Sequence, residues 1–261
     1  MNQKQTLKLL TKNAAIYQRF SSLSVRSQLA VCWEIFRRQV QIMFSKKFVW
    51  FLLGILGYFV LVYVINYRQS MIDRMTQEDI LPWLVALPLT VLAVYLNMQL
   101  ISSEKENRTL EVMFTTAGSR YKVWLFRLTT LNLLLLMISI GLSHLAFFTI
   151  ADMAVWGTAA HGFVPAYFVG GMTLYFAVKF RSGFAAGMVS GGILILLSMF
   201  SEALYETRYF LYFNPYDVPR QLDPETWQLW MWQNRMALMV LGVLLQFFAL
   251  RGLEERERLL R

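Results

Sequence analysis

Apolar residues in this chain arrive in long blocks, and short polar or basic stretches separate the blocks. Runs such as 48–65 and 128–150 reach or exceed the roughly 18–20 residues a helix needs to cross about 30 Å of hydrocarbon. They lack the two-residue alternation of a β-barrel strand, and lipid offers no partner for open backbone groups, so helices are the expected form. The pattern predicts an all-α integral membrane protein with six spans, at 48–65, 81–101, 123–150, 163–178, 184–200 and 228–250. The fourth and fifth are short and separated only by Lys179-Phe180-Arg181-Ser182-Gly183, so one of the pair is a candidate re-entrant or broken element.

The intervals are patterned too. From 24 to 47, Val25, Leu29, Cys32, Phe36, Val40 and Met43 recur at spacings of three and four, one face of a helix, while Arg26, Arg37, Arg38 and Gln41 fall away from it. Such a segment lies along a membrane interface or packs on a cytosolic partner; Lys46 and Lys47, joining it directly to a span, favour the membrane. The segment 201–235 is rich in Tyr and Trp, the composition of an aromatic belt at a membrane boundary. Asn214-Pro215 and Val218-Pro219 interrupt any helix there, and Asp223-Pro224-Glu225 reads as a new helix start. Short external helices, interfacial or partly re-entrant, are therefore expected ahead of the last span.

Composition agrees with the pattern. The 261 residues are 57% hydrophobic and 16% charged, against about 25% charged in an ordinary soluble domain. Of the 25 basic residues, only Arg68, Arg74, Arg208, Arg220 and Arg235 fall on one side of the six-span layout. Basic residues stay preferentially in the cytoplasm, so the other side, with both termini, is the cytoplasmic one. Three parts follow: a cytoplasmic tail with its amphipathic helix at 1–47, a six-helix membrane domain at 48–250, and a cytoplasmic tail at 251–261. The net charge of +9 is then mostly topological, and no basic soluble domain is left to bind nucleic acid. The polar, basic first 30 residues contain no apolar run, so no cleavable signal peptide is expected. The single cysteine, Cys32, excludes an intramolecular disulfide framework.

Catalytic chemistry finds little support. His144 and His161 stand in no metal-ligand spacing. Gly141-Leu142-Ser143-His144 lacks the turn of a serine nucleophile, and Ser143 adjoins rather than faces its histidine. No phosphate-binding Gly-x-x-x-x-Gly-Lys-Ser/Thr loop occurs, so any ATP has to be hydrolysed on another polypeptide, and no cofactor is expected on this chain. Gly183, Gly187 and Gly191 recur every four residues and form a ridge that another helix can approach closely.

The most informative polar interval is 102–127, SSEKENRTLEVMFTTAGSRYKVWLFR. Glu104 and Arg108 are four apart, Arg108 and Glu111 three apart, and Leu110, Met113 and Phe114 form an apolar edge, so a short amphipathic helix is expected in the 102–122 loop. That edge suits docking onto a partner; the alternatives are the membrane interface and the N-terminal helix. Glu104, Thr109-Leu110-Glu111 and Ser119-Arg120 resemble the cytoplasmic loop of the membrane subunits of type-2 ABC transporters, whose pattern is Glu, a few residues, Gly-Thr-Leu-Glu, then a Pro-x-Ser-Arg-like turn. Arg108 stands where that family usually has glycine, and Ala117 where it often has proline. The resemblance extends to chain length, the amphipathic N-terminal helix, the number of spans and the aromatic Asn-Pro segment before the last one.

The resemblance implies a permease subunit of an ATP-driven exporter in a bacterial inner membrane, paired with a second, identical or homologous subunit. Two cytosolic ATPase subunits, carrying ATP and magnesium, would dock on a coupling helix at 104–120. It implies further that the fifth span, with its glycine ridge, lies near the dimer axis. Asn97 and Gln99, near the end of the second span, are then candidate pathway linings, with simple solvation at the interface as the alternative. A membrane scaffold of the same fold that transports nothing is the competing reading.

Overall fold

The computed structural model describes residues 24–28, 30, 33–34, 36–37, 46–70, 74–106, 120–205 and 207–258; side chains at 46–47, 103–106, 120–123 and 254–258 are excepted. The chain divides into two units, Met1–Phe44 and Ser45–Arg261. In the first, residues 25–28 are helical and Ser24 starts the turn, its Oγ accepting from the Ser27 N–H at 3.3 Å and its carbonyl from Gln28 at 2.9 Å. Trp33 and Phe36 stack at 5.7 Å, and Val25 and Trp33 are exposed. Leu29, Cys32, Val40 and Met43 of the predicted apolar face lie outside the described residues.

The second unit is helical, with no strand among the described residues. Its elements are α1 (Lys46–Arg68), α2 (Gln77–Ile80), a π-helical turn (Leu81–Ala86), α3 (Leu87–Glu106), α4 (Arg120–Thr149), α5 (Val155–Phe180), α6 (Gly183–Met199), α7 (Ser201–Leu204) and α8 (Pro224–Arg258). Five stretches are long and apolar enough to cross a membrane: Phe48–Arg68, Gln77–Ser102, Trp124–Thr149, Val155–Phe180 and Pro224–Leu253. They give the chain the character of a membrane protein. The apolar helix Gly183–Met199, at 17 residues, is shorter.

Among the departures from the sequence reading, three bear on the architecture. The fourth apolar stretch begins at Val155 rather than 163 and runs 26 residues without a break, carrying Pro165 inside it. The basic interval after it is a tight corner between two intact helices. Arg181 takes the left-handed conformation (φ 55) that ends α5, and the Ser182 Oγ accepts from the Ala185 N–H at 3.2 Å to start α6. Finally, Asp223-Pro224 starts no separate external helix. Its carboxylate caps Thr226 at 3.3 Å and the helix continues through Arg258, because nothing after Pro224 breaks it. Among the described residues, the four-residue α7 is the short helix that remains before it.

Contacts within this unit sort the helix ends into two groups. Phe51 stacks on Tyr95 at 4.4 Å and Asn66 accepts from the Met75 N–H at 2.7 Å, so α1 runs antiparallel to 77–106. Ser139 donates to the Ala159 carbonyl at 2.7 Å and Asn132 to Gln246 at 3.3 Å, which sets α4 antiparallel to α5 and to α8. The ends at Glu106, Arg120, Arg181 and Arg251 therefore share one side of the bundle, and residues 69–70, 74–77, 150–154 and 207–223 share the other. At the centre stands α5, packed against α3, α4, α6 and α8. Small residues admit those neighbours: a Cβ at Gly170 would meet Asn97 Nδ2 at 2.7 Å, and one at Gly171 the Gly242 carbonyl at 3.1 Å. By contrast α1 turns Trp50, Leu53, Val60 and Leu61 outward.

Candidate functional site

The segment singled out by sequence falls in the interval between α3 and α4. Arg108, Thr109, Leu110, Glu111, Met113, Phe114 and Ser119 lie outside the described residues. Glu104 sits in the last turns of α3 and Arg120 opens α4, so the interval leaves and re-enters two long apolar helices on one side of the bundle. The 179–183 corner and the end of α8 lie on that same side.

The glycine ridge is largely occupied within the chain. A Cβ at Gly183 would strike the Met98 carbonyl and Ser102 Oγ, and one at Gly187 would strike the Met98 side chain, so both glycines let α6 close on α3. Gly191 has nothing within 4 Å and faces outward. Asn97 is 1% exposed: it donates from Nδ2 to the Ala93 carbonyl at 2.8 Å, faces Gly170, and leaves Oδ1 with no partner. Gln99, two residues on, is half-buried. The adjacent Ser143 and His144 form no pair: the His144 ring meets the Ile140 carbonyl at 2.9 Å and packs edge-on against Trp156, while Ser143 Oγ is buried without a partner.

Sequence reasoning missed a buried polar cluster at the opposite side. There the chain between α7 and α8 lacks helical hydrogen bonds, so its carbonyls need side-chain donors. Asn234 Nδ2 donates to the carbonyls of Arg208 and Phe210, both at 2.9 Å. Arg235 donates to the Phe213 carbonyl at 2.6 Å, to Asn234 Oδ1 at 3.2 Å and to His161 Nδ1 at 3.4 Å. Asn214 reaches the Glu78 carbonyl at 2.7 Å, and its own carbonyl accepts from Trp227 Nε1 at 3.1 Å. Phe213, fully buried, packs at a tilt against Trp227 with ring centroids 4.2 Å apart. The segment 207–223 is thus strapped onto α2 and α8. Burial in the strap pushes the Tyr212 hydroxyl above the ordinary phenol range, against a hydrogen bond with Thr90 that pulls it down.

Arg235, one of the five basic residues on the sparsely basic side of the six-span layout, lies eleven residues into α8 and is 5% exposed. The usable signal was polar residues inside an apolar run, Asn234, Arg235 and Gln246, which in such helices face protein rather than lipid. Gln246 Oε1 accepts from both Asn132 Nδ2 and Tyr167 Oη at 3.3 Å, and Thr173 donates to Ser190 at 3.0 Å, so α4, α5, α6 and α8 are cross-linked by polar contacts. Among the described residues no three of His, Cys, Asp and Glu come together as a metal-holding group. Comparison of the chain with protein-family models, with characterised proteins and with solved structures yields no match.

Proposed function

We propose that this chain is the membrane subunit of an ATP-driven exporter of the type-2 ABC class. One observation carries the reading: Glu104, Thr109-Leu110-Glu111 and Ser119-Arg120, in the spacing of that class's coupling loop, run from the end of one long apolar helix to the start of the next. In this reading α6 completes six crossings, the side holding 107–119, the 179–183 corner and both termini faces the cytoplasm, and the membrane is a bacterial inner membrane. The chain hydrolyses nothing itself. Separate ATPase subunits, with ATP and magnesium, grip 104–120 through Glu111, Met113 and Phe114, and their closure moves the helix between two positions that differ in contact free energy. A second permease subunit, identical or homologous, completes the pathway. Gly191 is the part of the glycine ridge left open to it. Asn97 and Gln99 line the pathway only if α3 and α5 part, since Asn97 is enclosed between them.

The test is co-purification with the ATPase subunits. Glu111→Arg combined with Met113→Asp is expected to abolish it, and retention by the double variant overturns the docking role. A scaffold that transports nothing is favoured by one observation: the polar side chains Gln246, Asn132, Tyr167, Thr173 and Ser190 pair with one another inside the chain instead of facing a channel. ATP-dependent substrate movement in liposomes separates the two readings.

A further inference from the structure

The first helix meets the second through few side chains, and the space between them is not filled. A chamber of about 360 Å³ lies against Phe51, Gly54, Ile55, Leu87, Pro88 and Val91. A second, of about 370 Å³, lies nearer the strap and is lined by Asn66, Gln69, Asp79 and Trp83 among others. Tyr58 lines both, so the two adjoin along one cleft, and its hydroxyl donates to the Trp83 carbonyl at 3.1 Å. Each volume falls in the range of small-molecule pockets.

The chambers differ in chemistry. The inner one is walled by aliphatic and aromatic carbon, at the level where α1 and α3 are apolar throughout. The outer one carries two amides and one carboxylate. Asn66 is buried and spends its Oδ1 on the Met75 N–H, which leaves its amide N–H groups with no partner among the described residues. Asp79 is exposed and spends Oδ2 on Thr76, which leaves Oδ1 with none. The charge among the described lining residues is therefore negative, and it stands at the polar end of an otherwise apolar cleft.

We propose that the two chambers form one lateral slot for an amphiphile, its alkyl chain against Gly54, Leu87 and Val91 and an ammonium-bearing head group at Asp79. A lipid with an amine head group and a free alkylamine share this chemistry. The slot rests on the membrane character of the helices and not on the exporter reading, so loss of ATPase binding leaves it standing.

Photolabelling of the full chain in vesicles tests it. Phosphatidylethanolamine with a mid-chain diazirine is expected to label peptides covering 50–58 and 87–91, about threefold more than the same probe on phosphatidylglycerol, the size of an exposed ion pair. Asp79→Asn is expected to erase that preference. Gly54→Trp fills the inner chamber, where a Cβ has open space, and is expected to abolish labelling. Gly57→Trp, also unobstructed but not lining the slot, is expected to leave it unchanged and controls for folding. A diazirine alkylamine labelling the same peptides more strongly than the lipid identifies the occupant as a free amphiphile; weaker labelling identifies it as bilayer lipid. Labelling spread evenly over the outer faces of all helices, equal from both lipids, or untouched by Gly54→Trp overturns the proposal.

Discussion

The Tyr58 hydroxyl donates to the Trp83 carbonyl oxygen at 3.1 Å, tying the first apolar helix to an irregular turn of the second. That carbonyl lacks its usual donor for a reason written in the chain. In the π-helical turn Leu81–Ala86 the Leu87 N–H goes to the Pro82 carbonyl, five residues back, rather than to Trp83. The next N–H that would serve Trp83 in that pattern belongs to residue 88, which is proline and has none. An unmet carbonyl is costly in apolar surroundings, and Tyr58 supplies the missing donor.

Tyr58→Phe is therefore expected to destabilise the protein by about 0.6–1 kcal/mol, the size of a hydrogen bond between membrane helices. In a Pro88→Ala background, where residue 88 regains an N–H, the same change is expected to cost less. A double-mutant cycle read by unfolding in detergent checks the coupling. Equal costs in both backgrounds would show that the two residues act independently.

The glycines of α6 predict a graded series. Gly183→Ala should destabilise most, because its Cβ meets the Met98 backbone carbonyl, which cannot swing aside. Gly187→Ala should cost less, since the obstacle is the flexible Met98 side chain. Gly191→Ala should be neutral or stabilise slightly, as alanine is the better helix former. Thermal unfolding of the three single variants ranks them.

At the strap, Asn234→Leu removes one donor group from two carbonyls and is expected to cost about 1–3 kcal/mol. The loss should be local. Protease cleavage within 207–223 is expected to accelerate while the helix content seen by circular dichroism holds. Arg235→Lys keeps the cation and loses the planar fork that serves Phe213, Asn234 and His161, so the same cleavage should accelerate there.

Gln246 is one acceptor for two donors on different helices. Gln246→Leu leaves Asn132 and Tyr167 facing an apolar side chain and is expected to cost about 1 kcal/mol. Tyr167→Phe in that background should add little, because the shared acceptor is already gone. Unfolding measurements on the single and double variants supply the comparison.

The helical class and the apolar stretches were legible because each rests on a local rule. A run of apolar residues such as 48–65 must form internal hydrogen bonds in lipid whatever surrounds it, and Asp223-Pro224 starts a helix through its own side chain and ring. Boundaries slipped where local rules compete. Nothing in the run marks Val155 as the start of α5, and the short helix expected to begin at Asp223-Pro224 ahead of the last span merges with that span into one α8, because past Pro224 no residue opposes the helix. Residue types and spacing give 104–120 its charges and apolar edge without naming what that edge meets.

Partners across the bundle follow no local rule. Gln246 is polar in an apolar helix, which says that it faces protein, but Asn132 lies 114 residues away and their meeting depends on how α4 and α8 cross. Gly183 and Gly187 announce a close approach without naming Met98 as the group that approaches. Arg235 reads as a boundary cation until the strap folds over it, since burial is a property of what packs around a side chain and not of its neighbours in the chain. Local propensity and the solvent thus settle which segments are helical and apolar, whereas the pairing of polar groups and the gap between α1 and α3 arise from long-range packing, which sequence spacing does not encode.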